Sequence, residues 1–277
     1  MINMADPVVA KWAEDELARI ITEYHLDLLR VDYNINVDSM FNMGDCGSGI
    51  KECLVTRNIT AVYKMYQRLK ERFPDVIFEN CAGGGGRTDL GMMKAFNHTW
   101  VSDWQKMPRS VAITNGMTMA LPPERVDRLF AGMECHKTGS LDAHMRNTML
   151  GHMSLNVISP ASAQINTVQM EFVRHSVKVY KEFIRPMLND CRVYHHTPKI
   201  TDCAVMEISS GSKGALTAFA LKGQKTLTLT PKGMSRSKKY LVTLDNTGDS
   251  FEINGGTPIS VLLNASYTSE LILYREI

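Results

Sequence analysis

Apolar and polar positions follow two different patterns along this 277-residue chain. Up to about residue 193, short apolar runs of strand length alternate with stretches in which apolar residues recur every three or four positions, as in an amphipathic helix. Such alternation is typical of parallel βα units, whose functional side chains gather where the strands end. Beyond about residue 194, short runs rich in Val, Leu, Thr and Tyr are separated by Gly- and Asp-rich turns, which predicts a small antiparallel β-sandwich. We therefore expect two domains, 1–193 and 194–277.

The pattern predicts an order of elements. Asp6-Pro7 is a typical helix start, with Asp as the cap and Pro in the first turn. Predicted helices cover about 7–24, 59–73, 90–95, 142–149 and 162–187, with another opening at 122 toward 132; predicted strands cover 28–31, 76–79, 99–102, 117–121 and 152–157. In the second domain, predicted strands cover 204–208, 216–221, 226–230, 240–244, 259–263 and 271–274. The first strand is apolar enough to be buried on both faces. The stretch from Asn34 to Asn58 predicts a long functional loop.

Composition and charge narrow the class of protein. The chain is 44% hydrophobic and 22% charged, with a net charge of +2, so it has the core of a globular protein and no basic tract for nucleic acid or an anionic membrane. No apolar run would span a bilayer, and the first residues lack the segments of a secretory signal. The six cysteines include no Cys-x-x-Cys pair, and neither Cys135-His136 nor His195-His196 has the spaced partners that zinc needs. We expect a cytoplasmic protein with reduced thiols.

Polar residues follow three of the predicted strands at the point where each ends. Asp32 comes directly after the first apolar run, the segment 81–89 follows the second, and Trp100 and Asp103 close the third. Because the carboxyl ends of parallel strands meet at one edge, we expect two carboxylates to face each other across a rim. A carboxylate pair of this kind is what glycoside hydrolysis requires.

Each of these residues also has a plainer interpretation. A lone Asp at a strand end usually caps a turn, but Arg30, Asp32 and Asn34 alternate and so point to the same side of an extended segment. An arginine beside Asp32 would keep that carboxylate ionised, as a nucleophile requires, or would form a structural ion pair. Sugar sites often pair an aromatic platform such as Trp100 with a carboxylic acid, although a Trp near a strand is more often a core residue.

The four glycines from Gly83 to Gly86 admit three interpretations. The first is a flexible turn. The second is a phosphate cradle, which would need Gly-Lys-Ser/Thr at its end or Gly-x-Gly-x-x-Gly opening a helix, and Gly86-Arg87-Thr88 supplies neither. The third is a backbone kept free of side chains so that a hydroxylated ligand can approach closely. The position directly after Asn80-Cys81, at a strand end, favours the third.

Three segments, in this order, resemble glycoside hydrolase family 36, the melibiase-type α-galactosidases. Residues 30–34 read Arg-Val-Asp-Tyr-Asn beside the family's Lys-Trp-Asp-x-Asn. Residues 81–89 read Cys-Ala-Gly-Gly-Gly-Gly-Arg-Thr-Asp beside Cys-Ser/Ala-x-Gly-Gly-Gly-Arg-x-Asp, and residues 100–103 read Trp-Val-Ser-Asp beside Trp-x-Ser-Asp. The resemblance implies an α/β fold: about strands 4 to 8 of a (β/α)₈ TIM barrel, followed by the small antiparallel β-sandwich.

The resemblance also implies roles for individual residues. Asp32 would be the nucleophile and Asp103 the general acid/base of a retaining glycosidase that cleaves terminal α-galactosyl residues without a metal or organic cofactor. The carboxyl groups of such a pair stand roughly 5–5.5 Å apart. The positions that would contact the sugar are Arg30, Asn34, Cys81, Gly83, Gly84, Arg87 and Trp100. The implied partner is an oligosaccharide of raffinose or melibiose type, and because relatives often assemble, the resemblance allows a homo-oligomer.

Two departures and one shortfall accompany the resemblance. Arg30 stands where the family has lysine, and residues 104–106 read Trp-Gln-Lys where many relatives have Asn-Thr-Asp, which leaves galactose and N-acetylgalactosamine both open. The nucleophile strand begins at Leu28, so we expect the first three barrel strands and an N-terminal β domain to be missing, in a truncated or split product with open parallel edges. The alternatives are an inactive carbohydrate-binding remnant, a transglycosylase, and a nucleotide-binding α/β protein.

Overall fold

The computed structural model describes residues 2–34, 54–130, 139–156 and 166–277. The chain forms two compact units, residues 1–103 and 104–277. The predicted loop between 34 and 58 falls mainly on 35–53, outside the described residues, and so do Cys46, Cys53, Cys135 and His136. The predicted element ends at 132, 157 and 162 lie outside them as well. The domain boundary between 193 and 194 stays a prediction.

The first unit contains a parallel three-stranded sheet with helices between its strands. Its elements are α1 Pro7–Glu23, β1 Leu28–Asp32, α2 Leu54–Arg72, β2 Ile77–Cys81, α3 Leu90–Ala95 and β3 His98–Trp100. The predicted helix start is confirmed, because the Asp6 carboxylate accepts hydrogen bonds from the backbone N–H groups of Val8 at 2.8 Å and Val9 at 3.5 Å. β2 lies between β1 and β3. The strand–helix alternation predicted from the apolar spacing is confirmed over this unit.

One face of this sheet packs against the helices. Phe78 of β2, Phe96 after α3 and Leu69 of α2 are completely buried. The rings of Tyr66, Phe78 and Phe96 contact one another at tilted or edge-on angles, with centroids 4.6 to 6.5 Å apart. This aromatic core packs the strands against the helices on one face of the sheet and leaves the opposite face for other side chains.

The prediction that β1 is buried on both faces is wrong. Its residues alternate between exposed and half-buried, and Leu28 is 43% exposed. Among the described residues β1 pairs only with β2. A strand with a single neighbouring strand is covered from one side only, which explains the exposure.

The second unit begins with further strand–helix units. Its first elements are α4 Arg109–Ala120, a 3₁₀ turn at Pro123–Arg125, β4 Val126–Phe130, α5 Leu141–Thr148, β5 His152–Leu155 and α6 Thr167–Val179. β4 and β5 pair in parallel. The predicted long helix continues past α6 as a π turn at Tyr180–Ile184 and a 3₁₀ turn at Arg185–Met187. In the described part of the chain, no helix has the length and apolar character needed to cross a membrane.

The strand predicted at 117–121 is wrong, because those residues include the end of α4. This helix buries a stripe of small polar side chains, Ser110, Thr114 and Thr118, at helical spacing. Thr114 Oγ1 donates to the Ser110 carbonyl at 3.1 Å, and Thr118 Oγ1 donates to the Thr114 carbonyl at 2.9 Å. The hydroxyls are thus satisfied inside the helix itself. A buried stripe that is polar leaves no apolar periodicity for a sequence pattern to detect.

The helix predicted from residue 122 toward 132 is also wrong. After the 3₁₀ turn the chain extends into β4, where Asp127 and Arg128 are only 2% and 0% exposed. Arg128 Nη2 donates to Ser110 Oγ at 2.6 Å, and Asp127 accepts a hydrogen bond from Ser154 Oγ at 2.8 Å. Adjacent charged residues suggest a solvated segment, and only partners from other elements make them tolerable in a buried strand.

The rest of the second unit consists of two antiparallel sheets with one core. The strands are β6 Arg192–His195, β7 Cys203–Ser209, β8 Lys213–Ala220, β9 Lys225–Leu229, β10 Lys239–Leu244, β11 Ser250–Asn254, β12 Ile259–Leu263 and β13 Thr268–Glu276. A six-stranded sheet has the order β11-β10-β13-β8-β7-β6, and β12 pairs with β9 in a second sheet. Leu216 and Tyr240 of the large sheet and Ile259 and Leu263 of the small one belong to the same buried cluster. This is sandwich packing, and all six strands predicted beyond residue 194 are confirmed.

Candidate active site

The strands of the first unit place two rows of polar side chains on one face of the sheet. β1 and β2 pair with Arg30 opposite Glu79 and Asp32 opposite Cys81. β2 and β3 pair with Glu79 opposite His98. Residues that face each other across neighbouring strands point to the same side of the sheet. The inner row is therefore Arg30, Glu79 and His98, and the row at the carboxyl ends contains Asp32 and Cys81.

The glycine-rich turn after β2 lies against the end of β1. The backbone N–H of Gly83 donates to Asn34 Oδ1 at 2.7 Å and to Asp32 Oδ1 at 3.4 Å. All three residues are exposed. The alternation that predicts a common side for Asp32 and Asn34 thus brings both side chains to one backbone group. The Asp32 carboxylate remains accessible to a ligand.

The next glycine of the turn lies against the segment that follows β3. Gly84 has a φ of +84°, and a side chain there would place its Cβ 2.7 Å from Ser102 Cα and 3.0 Å from the Asp103 backbone nitrogen. Only glycine fits this conformation and this close approach. Since Gly83 contacts Asp32 and the adjacent Gly84 packs on the backbone of Asp103, one turn joins the two predicted catalytic residues.

Trp100 and Arg30 connect the same strand ends through their side chains. Trp100 Nε1 donates to Asp103 Oδ1 at 2.9 Å. Arg30 Cζ lies 4.0 Å from the centroid of the Trp100 ring, in cation–π contact. The Trp100 side chain is buried, whereas Asp103 is exposed. The Trp100 ring therefore belongs to the core, and its N–H orients the Asp103 carboxylate.

Cys81 is completely buried beneath this rim, and Arg30 Nη2 donates to its Sγ at 3.2 Å. Burial raises the pKa of the Cys81 thiol, against the opposing effects of the Gly84 backbone N–H and the Arg30 guanidinium, so the thiol is neutral at pH 7. Burial lowers the pKa of Arg30, but the hydrogen bond to Cys81 and the nearby carboxylates outweigh burial and raise it. Arg30 is thus a permanent cation at the strand ends.

Arg87 lies near a different part of the first unit. Its Cζ is 5.1 Å from the centroid of the Tyr33 ring, and the Tyr33 hydroxyl donates to that of Tyr66 at 2.6 Å. Burial raises the pKa of Tyr33 to about 12. Arg87 and Tyr33 also line a largely apolar cavity of about 320 Å³ beside α1 and α2. Among the described residues, neither Asp32 nor Asp103 lines this cavity.

A set of polar contacts on the opposite face of the sheet holds the glycine turn in place. Asn80 is completely buried and donates from Nδ2 to the Arg87 carbonyl at 3.3 Å and to Thr99 Oγ1 at 3.2 Å. The hydroxyl oxygens of Thr88 and Thr99 are 2.7 Å apart. The C-terminal end of the turn, at Arg87 and Thr88, is therefore attached to β2 and β3 by side chains.

The turn ends in an acidic helix cap. Asp89 Oδ1 accepts a hydrogen bond from the Met92 backbone N–H at 2.9 Å, and Asp89 Oδ2 accepts one from the Tyr63 hydroxyl at 2.6 Å. A carboxylate thus occupies the N-terminus of α3, where a phosphate group would otherwise bind. This arrangement argues against the nucleotide-binding alternative.

Glu79 is the residue of this face to which the motifs assign no role. Its carboxylate is buried, with Oε1 3.3 Å from Arg30 Nε and Oε2 3.5 Å from His98 Nδ1. Alternation is the signal that identifies it, because Glu79 and Cys81 are two positions apart on β2, just as the arginine and the aspartate are on β1. The register, with Arg30 opposite Glu79, then brings both pairs to the same side of the sheet.

Comparison with known proteins determines the family. A family model described as Melibiase matches residues 1–189. The chain belongs to the Melibiase family. The resemblance to glycoside hydrolase family 36 that the three sequence segments indicate is thereby confirmed.

Individual Melibiase relatives show how far the likeness extends. Alpha-galactosidase C of Emericella nidulans is 28% identical over 179 residues, which cover 62% of this chain and 23% of that protein. An alpha-galactosidase of Escherichia coli is 26% identical over 186 residues, 66% of this chain and 25% of that protein. The crystal structure of a variant of the GH36 alpha-galactosidase AgaA of Geobacillus stearothermophilus with raffinose superposes with a TM-score of 0.84 at 17% identity, over 99% of this chain and 39% of that one. The fold is shared, while the chain spans about a quarter of the length of these curated relatives.

Proposed function

We propose that this Melibiase-family chain is a retaining glycosidase that releases terminal α-galactosyl residues from oligosaccharides. The observation that carries the proposal is the glycine turn, whose consecutive residues Gly83 and Gly84 contact Asp32 and the backbone of Asp103. Two exposed carboxylates at neighbouring strand ends supply the groups that a double displacement needs. Family membership supports an α-galactoside as the substrate class.

In the proposed mechanism Asp32 is the nucleophile and Asp103 the general acid/base. Asp32 attacks the anomeric carbon while Asp103 protonates the leaving oxygen, so the glycosidic bond breaks and a sugar–carboxylate bond forms. Water then attacks the same carbon, Asp103 accepts its proton, and the Asp32 carboxylate leaves. Two inversions retain the configuration. The hydrogen bond from the Trp100 indole orients the Asp103 carboxyl group for both proton transfers.

The residues around the carboxylate pair bind the sugar in this proposal. Arg30 and Asn34 lie on the same side of β1 as the nucleophile and offer donors to sugar hydroxyls. The backbone of Gly83 and Gly84 allows the ring to approach closely. The resemblance adds Cys81, Arg87 and Trp100 to the proposed sugar contacts; the structure buries Cys81 and Trp100 and places Arg87 beside Tyr33.

The substrate class can be stated more finely. The AgaA variant is seen with raffinose, and we propose that this chain likewise acts on oligosaccharides of raffinose or melibiose type. Because Arg30 replaces lysine, rates on aryl α-galactoside and aryl α-N-acetylgalactosaminide should be compared directly. Galactosyl products longer than the substrate would show transfer to a sugar acceptor instead of water.

The same comparison supports a proposal about architecture. We infer that β1 to β5 correspond to about strands 4 to 8 of a (β/α)₈ barrel, and that residues 1–193 and 194–277 are the barrel part and the β-sandwich domain. Pairing changes from parallel to antiparallel between β5 and β6, which supports a boundary close to the predicted one.

Release of nitrophenol from 4-nitrophenyl α-D-galactoside by the purified chain tests the proposed function. Asp32→Ala should abolish turnover, and azide should restore it with formation of the β-galactosyl azide, because azide then attacks directly. In Asp103→Ala, azide should instead give the α-galactosyl azide by attack on the covalent intermediate. Opposite configurations of the two azides would identify both roles in one experiment.

Asp27→Ala is the matched control, since Asp27 is an exposed aspartate at the other end of β1. It should leave the rate unchanged. Proton NMR should show α-galactose as the first product, whereas β-galactose would contradict the retaining mechanism. Binding of galactose without any turnover would instead support the inactive carbohydrate-binding alternative.

A further inference from the structure

We propose that Glu79 is a positioning residue that fixes the guanidinium of Arg30 over Trp100 at the sugar-binding end of the strands. This inference rests on the proposed function, because the position of Arg30 matters for a sugar held between Asp32 and Asp103. Glu79 itself acts through Arg30 and touches neither the sugar nor the reacting atoms.

Glu79 is buried in the sheet, on the middle strand of the first unit. Its side chain is 7% exposed, and the register sets it between Arg30 on β1 and His98 on β3. A buried carboxylate loses much of its hydration, and an ion pair rarely recovers more than that loss. Overall stability is therefore a weak reason for an acid here, whereas holding a cationic side chain in one orientation is a specific one.

Three side chains contact the guanidinium of Arg30. Its Nε is 3.3 Å from Glu79 Oε1, its Nη2 donates to Cys81 Sγ at 3.2 Å, and its Cζ lies 4.0 Å from the Trp100 ring centroid. An anion, a sulfur and an aromatic face thus fix the planar guanidinium on three sides. The Arg30 side chain is still 36% exposed, so it can reach a ligand.

Trp100 connects Arg30 to the proposed acid/base. The Trp100 ring, which lies beneath the guanidinium, donates its indole hydrogen to Asp103 Oδ1 at 2.9 Å. If Arg30 moves, the ring loses its cover and the carboxylate loses a fixed donor. Glu79, Arg30 and Trp100 thus form a continuous path from a buried anion on β2 to the proposed acid/base.

A kinetic double-mutant cycle tests this path. Glu79→Gln keeps the shape and removes the charge, and it should lower kcat/KM for the aryl galactoside on the order of 10- to 100-fold, because small displacements at an active site have effects of that size. In an Arg30→Ala background the same change should lower kcat/KM less than about threefold, because the group through which Glu79 acts is gone. Equal losses in both backgrounds would overturn the proposal.

Two further variants separate positioning from simple loss of structure. Glu79→Asp keeps the charge and should fall between wild type and Glu79→Gln. Glu207→Gln removes another buried carboxylate, on β7 of the second unit, and should leave kcat/KM unchanged below its melting temperature. A loss of activity in Glu207→Gln equal to that in Glu79→Gln would mean that general destabilisation explains both.

A fluorescence measurement tests the path without any turnover. The chain has three tryptophans, so Trp12→Phe with Trp104→Phe leaves Trp100 as the sole emitter. Glu79→Gln should raise the acrylamide quenching of Trp100 to the level of Arg30→Ala. Quenching that stays at the starting value in Glu79→Gln would refute the positioning role. An inactive wild-type chain that shows the expected quenching would refute the proposed function alone.

Discussion

At the scale of single residues, the orientation of Asp103 depends on one indole. Trp100→Phe keeps an aromatic ring under Arg30 but removes the donor to Asp103 Oδ1. A hydrogen bond to a charged group contributes about 1.5–3 kcal/mol. We therefore expect kcat/KM to fall about 10- to 100-fold, with most of the loss in kcat, as steady-state kinetics on aryl galactosides of different leaving groups can measure.

The adjacent tryptophan provides the control for this prediction. Trp104 is 46% exposed, and its indole nitrogen donates to the Lys106 carbonyl at 3.1 Å. Trp104→Phe makes the same chemical change and should alter kcat/KM less than about threefold. A loss of kcat/KM in Trp104→Phe as large as that in Trp100→Phe would contradict a specific role for the hydrogen bond from Trp100 to Asp103.

At the scale of elements, the glycine turn should tolerate no side chain at Gly84. A Cβ there would meet the backbone of residues 102 and 103 at 2.7 and 3.0 Å, with φ at +84°. The left-handed conformation costs an L-residue about 1–2 kcal/mol, and overpacking against backbone adds about 1–3 kcal/mol. Gly84→Ala should therefore lower the free energy of unfolding by about 2–5 kcal/mol in urea titrations.

Gly116 gives a matched glycine in a permissive place. It lies within α4, is exposed, and an added Cβ would meet nothing within 4 Å. Gly116→Ala should raise the free energy of unfolding by about 0.5–1 kcal/mol, because alanine restricts the unfolded chain and favours the helix. Equal effects of the two substitutions would contradict the steric account of the turn.

Glu207 makes the β-sandwich sensitive to acid. Its carboxylate accepts hydrogen bonds from His196 Nε2, the Tyr274 hydroxyl, and the backbone N–H groups of Lys232 and Gly233, at 2.6 to 2.8 Å. Burial raises the pKa of Glu207, but these donors outweigh burial and hold it below the ordinary value of 4.5. The contribution to stability is therefore complete above pH 4.5 and is lost as pH falls through the lowered folded-state pKa.

Urea titrations from pH 3 to 7 test this pH dependence. Wild type should lose stability below pH 4.5 more steeply than Glu207→Gln, which has no proton to gain at this position. At pH 7, Glu207→Gln should be less stable by about 1–3 kcal/mol, since donors lose a charged acceptor. Parallel pH profiles would show that another group controls acid unfolding.

The elements also show which features of the fold a sequence pattern can predict. Asp6 and the apolar spacing after it predict α1, because capping and amphipathicity are local properties. The buried α4 stripe that contains Ser110 and Thr114 escapes detection because it is polar, and the Thr114 hydroxyl donates to the Ser110 carbonyl within the helix. Arg128 in β4 escapes for a different reason: its partner Ser110 comes from another element. Helix caps and amphipathic spacing can be predicted from the local sequence, whereas the burial of a polar residue depends on partners from other elements.

The candidate site divides in the same way. Each motif is a short continuous segment of the chain, so Asp32, Gly84 and Asp103 can each be identified from the residues beside them in the sequence. The contact between Glu79 and Arg30 joins two strands and depends on register. Register becomes visible only when the sheet is formed, which is why the positioning path was not readable from the motifs.

At the scale of the whole molecule, the compact unit 104–277 crosses the predicted domain boundary, and Arg146 explains how. Arg146 of α5 is 1% exposed; its Nη1 donates to the Ser269 carbonyl of β13 at 2.8 Å, and its Nη2 donates to Asp245 Oδ2 at 2.7 Å. His175 of α6 contacts the other oxygen of Asp245 at 2.7 Å. The buried guanidinium thus ties α5 to the β-sandwich, and Asp245 joins α6 to it through His175.

Removing that guanidinium should destabilise the second unit strongly. Arg146→Met preserves much of the side-chain volume but leaves buried acceptors on Ser269 and Asp245 without their donor, and breaking a buried ion pair costs about 3–5 kcal/mol. Calorimetry should show a lower Tm and a smaller free energy of unfolding. Arg19→Met provides the control, because Arg19 pairs with glutamates on the exposed face of α1 and its loss should leave the melt unchanged. If Arg146→Met also left the melt unchanged, the β-sandwich would be held to the helices by apolar packing alone, and the buried ion pair would contribute nothing to stability across the boundary near residue 193.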